Sequence, residues 1–206
     1  MKKIRHNKKI ILLLIILSFL VSIFISNQYL NKYDNYSEYK QNKHPMIKIA
    51  VENHWKGAYE ILKDFKEGKT FIESGVNFPD EYLPGKLLAI YYLIIGDEIY
   101  ENDLIKEDNG KYLYLIIKTL FYYFAVYFYY IKSSEILNSK TSFFSTVFLI
   151  FLPDLFQYHS SFWNESLFFS FQLLLIYFFI INDENKLINN IAIGITTGLM
   201  YSISEE

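Results

Sequence analysis

Apolar and polar positions fall in long blocks along this chain, not in short periods. Ile10–Ile25, Tyr112–Ile131, Phe143–Phe156, Ser166–Ile181 and Leu187–Ile203 are nearly free of charge, with Lys118 inside the second block and Asp154 near the end of the third. Blocks of that length read as helices crossing a hydrocarbon core, which takes about 20 residues. Flanking Ser, Asn and Tyr extend them to spans at about 10–28, 112–131, 143–158, 165–182 and 187–204. Lys118 falls mid-span and is expected to face the interior of the bundle, where a charge can find a partner or serve an anionic lipid group.

The segment Asn27–Lys111 between the first two spans is polar and carries its own pattern. Val51, Trp55, Ala58, Leu62 and Phe65 recur at spacings of 4, 3, 4 and 3. That period lines one helix face, so Val51–Glu67 reads as an amphipathic helix at the membrane surface. His44-Pro45 breaks the chain before it, and Gly68 is placed to end it. Phe78–Lys86 is turn-rich. Leu87–Ile95 is apolar but too short to span, so a juxtamembrane or re-entrant helix is expected. Asp97–Lys111 reads as a polar surface excursion. The expected fold is all-α: a polytopic transmembrane helix bundle with a partly helical extracytoplasmic loop over 27–111.

Composition narrows the function classes. Hydrophobic residues make up 52% and aromatic residues 19% of the 206, which excludes intrinsic disorder. The net charge of −2 leaves no basic face for phosphate backbones, so nucleic acid is not an expected partner. Without cysteine, disulfide scaffolds and thiol chemistry are excluded. Lys2, Lys3, Arg5, Lys8 and Lys9 precede the first span. The bulky Phe24 sits where cleavage after Ser26 would need a small residue, which favours an uncleaved anchor. The linkers Lys132–Thr141 and Asn182–Lys186 carry lysine, whereas Gln157–Glu165 carries no Lys or Arg. By the positive-inside bias the N-terminus is cytoplasmic, the long loop lies outside, and the protein belongs in the cell (inner) membrane.

That orientation gathers Asp34, Glu52, His54, Asp80, Glu81, Asp154, His159 and Glu165 on the outer side. Neither His54 nor His159 has metal-ligand spacing, so no cofactor and no metal is indicated. Trp55 and Trp163 read as interfacial anchors. GxGxxG, Walker, HExxH and GxSxG patterns are absent.

Several stretches come in a recognisable order: Glu52-Asn53-His54-Trp55; Gly68-Lys69; Tyr82-Leu83-Pro84-Gly85-Lys86-Leu87-Leu88-Ala89; Tyr158-His159-Ser160-Ser161-Phe162-Trp163-Asn164-Glu165-Ser166-Leu167-Phe168; and Gly194 with Gly198. Together they resemble the GT-C membrane glycosyltransferases of the protein O-mannosyltransferase and aminoarabinose transferase kind, from roughly Asp34 to Ser204. The resemblance implies transfer of a sugar from a polyprenyl-phosphate donor to an acceptor hydroxyl at the extracytoplasmic face. An acidic residue of the first outer loop would be the general base. It points to Glu52, because the helix and the Tyr-Leu-Pro stretch follow it in order, with Asp34 as the second choice. It further implies substrate-binding roles for Lys86, His54, Tyr82 and Glu165, with Lys86 facing the leaving phosphate. GT-C enzymes have more spans than five, so the 206 residues read as the N-terminal part of such a domain, with further spans or a partner completing it. The rival readings are a non-catalytic polytopic membrane protein and another envelope-polysaccharide polymerase or ligase. The latter relies on loop arginines, and the one arginine here is Arg5.

Overall fold

The computed structural model describes residues 2–33, 56–74, 82–95, 100–101, 104–105, 109–152, 165–180 and 186–204. Among these the chain is helical apart from one two-residue ladder and the turn or irregular positions 67–74, 137–138 and 151–152. The helices are α1 (Lys2–Tyr33), α2 (Lys56–Lys66), α3 (Tyr82–Ile95), α4 (Asn109–Ile136), α5 (Ser139–Ile150), α6 (Glu165–Ile180) and α7 (Lys186–Ser204). Between α3 and α4, β1 (Tyr100–Glu101) pairs antiparallel with β2 (Leu104–Ile105), Tyr100 opposite Ile105. Two helical stretches, Asn7–Ile25 and Leu113–Ile136, are long and apolar enough to cross a membrane. Gly85–Ile95, Ser166–Ile180 and Leu187–Tyr201 are apolar but shorter.

Several boundaries differ from the sequence expectation. The first helix runs on past Asn27 to Tyr33. In α3 the helix begins at Tyr82, so Pro84 and Gly85 belong to its first turn and not to a preceding loop. A proline there has no intrahelical hydrogen bond to lose. The expected linker Lys132–Thr141 contracts to Leu137 and Asn138. Ser133 and Ser134 stay helical by donating to the carbonyls of Tyr130 and Ile131. Asn138 then caps α5, its side chain accepting from the Thr141 amide at 2.9 Å. Helix α5 stops at Ile150, short of the expected Phe156, because Leu152 precedes Pro153 and a residue before proline is pushed out of the helical region.

Helices α1, α4, α5 and α6 each bury serine or threonine hydroxyls on one face and expose hydrocarbon on the opposite one, whereas α7 buries Thr196 but leaves Thr197 exposed. Ser18 and Ser22 of α1, Thr119 of α4, Ser142 and Thr146 of α5, and Ser166 and Ser170 of α6 are completely buried. On the opposite faces Leu13, Phe24, Phe144, Phe148, Phe179 and Ile188 are more than 60% exposed. In α4 the outward stripe is Leu113, Ile117, Leu120 and Phe124, spaced 4, 3 and 4. Water-soluble proteins bury the apolar face and rarely expose a continuous apolar patch. Helices surrounded by lipid tails do the reverse, because hydroxyls must find partners inside.

Those partners set the register. Asn7 donates to the Ser139 hydroxyl at 3.1 Å and Ser18 donates to the Ile150 carbonyl at 3.0 Å. The two contacts have the same sequence separation, so α1 and α5 run parallel without drift. Helix α4 lies antiparallel to both. The Tyr122 hydroxyl donates to the Leu149 carbonyl at 2.9 Å, and the Ser133 and Ser142 hydroxyls meet at 2.7 Å. The Tyr123 hydroxyl sits between Ser18 (2.7 Å) and Ser22 (3.0 Å). Ile11, Ile15, Tyr122, Val126, Tyr130 and Ile150 close the core around these bonds. Replacing Tyr123 by Phe removes the hydroxyl that Ser18 and Ser22 share, while Ser18 keeps its bond to the Ile150 carbonyl. The expected cost is about 0.6–1.7 kcal/mol, the range for interhelical hydrogen bonds in membranes. A double-mutant cycle with Ser18→Ala and Ser22→Ala, followed by unfolding in mixed detergent, should show the coupling.

Candidate functional site

The site is built where the segment between the first two long helices returns to the bundle. Helix α2 is strongly amphipathic and buries Ala58, Ile61 and Leu62 against Leu88, Ala89 and Tyr92 of α3. Gly68, at φ 85°, ends it. The Gly68 amide donates to the Phe65 carbonyl and the Lys69 amide to the Asp64 carbonyl, both at 3.0 Å. This is the double bond of a Schellman cap, whose left-handed residue favours glycine. The expected stop at Gly68 is therefore found, and Ala58, Leu62 and Phe65 line the helix face the spacing assigned them. Val51, Trp55 and the rest of 51–55 lie outside the described residues.

After the cap Thr70–Ser74 form a turn, and α3 packs along α2. Lys86, in the first turns of α3, is completely buried. Its ammonium donates to the Phe71 carbonyl and lies 4.5 Å from the centre of the Phe71 ring. Phe71 in turn stacks on Phe65 at 6.5 Å. A buried ammonium needs such partners, because desolvating the charge alone costs several kcal/mol (about 3–5 when a partner is removed). The Phe71 carbonyl takes one of the three N–H donors on Lys86.

Helix α3 is antiparallel to α4. The Tyr91 and Tyr114 rings meet at 5.5 Å near the start of α4. Further along, Leu87 and Phe121 pack on Leu167, in the first turn of α6, together with Phe168, Phe171 and Leu199. Four helices thus converge beside Lys86. Lys118, one turn before Phe121 on α4, is 3% exposed and faces this interior. Next to it the buried Thr119 hydroxyl has no hydrogen-bond partner among the described residues.

Lys118 falls inside the second apolar block, and the packing of α4 on α1 sets its height. Ser18 and Ser22 straddle the Tyr123 hydroxyl. Ile25 is three residues beyond Ser22, about 4.5 Å along the axis, and Lys118 is five residues from Tyr123 in the same direction, about 7.5 Å. With the tyrosine hydroxyl level with the middle of the serine pair, Lys118 comes level with Ile25, where the apolar stretch of α1 ends. Two buried lysines, Lys86 and Lys118, therefore flank one aromatic and aliphatic cluster, Lys118 level with the end of the α1 apolar stretch.

The remaining expected site residues divide in two. Tyr82 opens α3 and Glu165 opens α6; for both, only the backbone is described. Since Leu167 follows Glu165 by two residues, the start of α6 is in the same region as Lys86. Asp34, Glu52 and His54 lie outside the described residues. Helix α2 begins four residues after Glu52 in the sequence.

Charges ring the turn between α2 and α3. Lys69 reaches Asp64 directly and Glu67 at 3.9 Å, and the hydrogen bond to Asp64 raises its pKa above the usual lysine value. Glu73 accepts from the Thr70 hydroxyl at 2.6 Å and the Thr70 amide at 3.0 Å, which holds its carboxyl below the ordinary 4.5. A depressed carboxyl contributes stability above its unfolded value and loses it as pH falls through the folded one. Hydrogen-exchange protection of the Thr70–Ser74 amides should accordingly fall as pH drops below about 4.5, and Thr70→Val should flatten that dependence. Lys69 acts in the opposite sense, its contribution fading only as pH rises through its raised value.

No described protein family, no curated protein and no solved structure matches this chain. Among the described residues no group of three or more His, Cys, Asp or Glu is placed to hold a metal ion.

Proposed function

We propose that this chain is the N-terminal part of a polytopic membrane glycosyltransferase that moves a sugar from a polyprenyl-phosphate donor to an acceptor hydroxyl at the outer membrane face. The inverted polarity of the long helices, hydroxyls inward and hydrocarbon outward, is the observation that carries the membrane part of this reading. In it α1, α4 and, with the shorter apolar helices, α5 to α7 form the membrane bundle, with the N-terminus in the cytoplasm. The end bearing Lys86 and Lys118 is then the outer boundary.

The chemistry asks for three things at that boundary. A polyprenyl phosphate needs positive charge at headgroup depth, with hydrocarbon below it for the isoprenoid. Lys86 and Lys118, both buried beside the cluster of Leu87, Phe121, Leu167 and Phe171, support that description. Charge fixed in a low-dielectric site stabilises the leaving phosphate as the glycosidic bond breaks. The acceptor hydroxyl needs a base, since it attacks the anomeric carbon as its proton leaves. Glu52, just ahead of α2, is that base, with Asp34 the alternative. His54, Tyr82 and Glu165 contribute to substrate binding.

The test is direct. Membranes containing the protein, given a radiolabelled polyprenyl-phosphate sugar and a mixture of envelope acceptors, should release polyprenyl phosphate and label an acceptor. Failure of the complete protein, purified in nanodiscs with any segment that completes the bundle, either to bind polyprenyl monophosphate or to consume the donor would reject the reading.

A further inference from the structure

The end of the bundle opposite Lys118 gathers positive charge. Two boundaries coincide there. The apolar stretch of α1 begins at Asn7, and that of α4 ends at Ile136. Asn7 donates to the Ser139 hydroxyl at 3.1 Å, and the Ser133 and Ser142 hydroxyls meet at 2.7 Å. Helices α1, α4 and α5 therefore reach the edge of the slab together. Lys8 and Lys9 follow Asn7, and Lys140 follows Ser139. Lys9 and Lys140 are exposed, and Lys8 is partly buried. Lys2, Lys3 and Arg5 precede them in α1. Among the described residues the acid at this end is Glu135, which Lys132 holds at 3.0 Å. Lys8, Lys9 and Lys140 have no carboxylate within ion-pair reach among the described residues. Asp183 and Glu184, between α6 and α7, lie outside them.

The residues that share a face with these lysines decide what the lysines meet. On α5, Phe144 and Phe148 follow Lys140 at intervals of four and are 68% and 65% exposed. On α1, Leu13 and Leu17 follow Lys9 at the same interval and are 65% and 53% exposed. Side chains four apart lie one above the other on a helix. Each outward face thus carries an ammonium at the slab edge and hydrocarbon over the next ~12 Å. A phospholipid with an anionic headgroup has the same division, phosphate at the edge and acyl chain below it. A soluble acidic partner would engage the lysines and leave the phenylalanines bare. A zwitterionic headgroup brings a cation of its own, which weakens its attraction to lysine.

We propose that the outward faces of α1 and α5 dock anionic phospholipid at this end of the bundle. Lys9 and Lys140 take the headgroup phosphates, Lys8 adds to their field, and the acyl chains lie along Leu13 and Leu17 and along Phe144 and Phe148. The proposal rests on reading α1 and α4 as membrane spans. It is independent of sugar transfer and of which side of the membrane this end faces.

The chain has no cysteine, so Phe144→Cys creates a single site for a bimane fluorophore beside Lys140. Leu120→Cys, on the outward face of α4 toward the opposite end, is the reference. The full chain is reconstituted in phosphatidylcholine nanodiscs. Part of the lipid is replaced by phosphatidylglycerol or phosphatidylcholine carrying a quenching nitroxide high on the acyl chain. At position 144 the phosphatidylglycerol should quench at a several-fold lower mole fraction than the phosphatidylcholine, and at position 120 the two should quench alike. Adding Lys140→Gln to Phe144→Cys should lower the preference about five-fold, the fold-change matching the ~1 kcal/mol of one lysine near an anionic surface. Equal quenching by the two lipids at 144, or an unchanged preference after Lys140→Gln, would overturn the proposal. An equal preference at 120 would also overturn it, by showing attraction to the whole protein and not to this end. Absence of quenching by either lipid at both positions would remove the spans themselves, a failure visible apart from loss of lipid selectivity.

Discussion

Glu52→Gln should lower sugar transfer by about 10²–10⁴-fold, the usual contribution of a positioned general base, while donor binding stays within a few-fold. Glutamine keeps the size and hydrogen-bonding reach of the side chain but cannot accept the acceptor's proton. The loss should therefore appear in kcat and not in KM, the signature of an interaction made in the transition state. Asp34→Asn is the companion measurement. If Glu52 is the base, Asp34→Asn leaves kcat within a few-fold. An unchanged kcat for Glu52→Gln with a large loss for Asp34→Asn would move the role to Asp34.

Lys86→Met should detach the turn from α3. The substitution removes a buried ammonium that donates to the Phe71 carbonyl and lies over the Phe71 ring. A hydrogen bond from a charged donor contributes about 1.5–3 kcal/mol and a partly desolvated cation–π contact about 1–2 kcal/mol. These overlap, so a local loss of about 2–4 kcal/mol is expected. Hydrogen exchange should quicken over Phe65–Ser74 while the Ser18–Tyr123 region stays protected. Phe71→Leu removes the ring but keeps the carbonyl, so its effect should be distinctly smaller. In a transfer assay Lys86→Met should also raise the donor KM, because it lowers the positive charge at the boundary.

What the sequence revealed depended on whether the signal was local. Gly68 stops α2 through its own left-handed conformation, so it was readable from one residue and the spacing before it. Blocks of apolar residues marked α1, α4, α6 and α7 for the same reason. Asn138 was local too, but a capping amide between two apolar blocks looks like ordinary linker, and the expected loop hid a two-residue connection. The Ser18 and Ser22 pair, four residues apart, could have suggested an interhelical face but was not read as one. Its partner Tyr123, more than a hundred residues away, was not legible. The same holds for Lys86: its position on α3 follows from the sequence, but its hold on Phe71 comes from the α2–α3 turn folding back. Lys118 is the clearest lesson. The sequence placed it inside an apolar block, and the packing of α4 on α1 adds that it stands level with Ile25, where the α1 apolar stretch ends. The carboxylates Asp34 and Glu52 enter through resemblance and chemistry alone.

Central to the account is that the α2–α3 segment stands outside the membrane between two spans. Lys63→Cys on α2 and Lys140→Cys at the start of α5 are both exposed and each supplies the chain's single thiol. In intact cells a membrane-impermeant maleimide should label position 63 at once and position 140 only after the membrane is permeabilised. Labelling of 140 but not 63 in intact cells, or equal labelling of both, would contradict the orientation and remove the site from the face where a lipid-borne sugar would meet its acceptor.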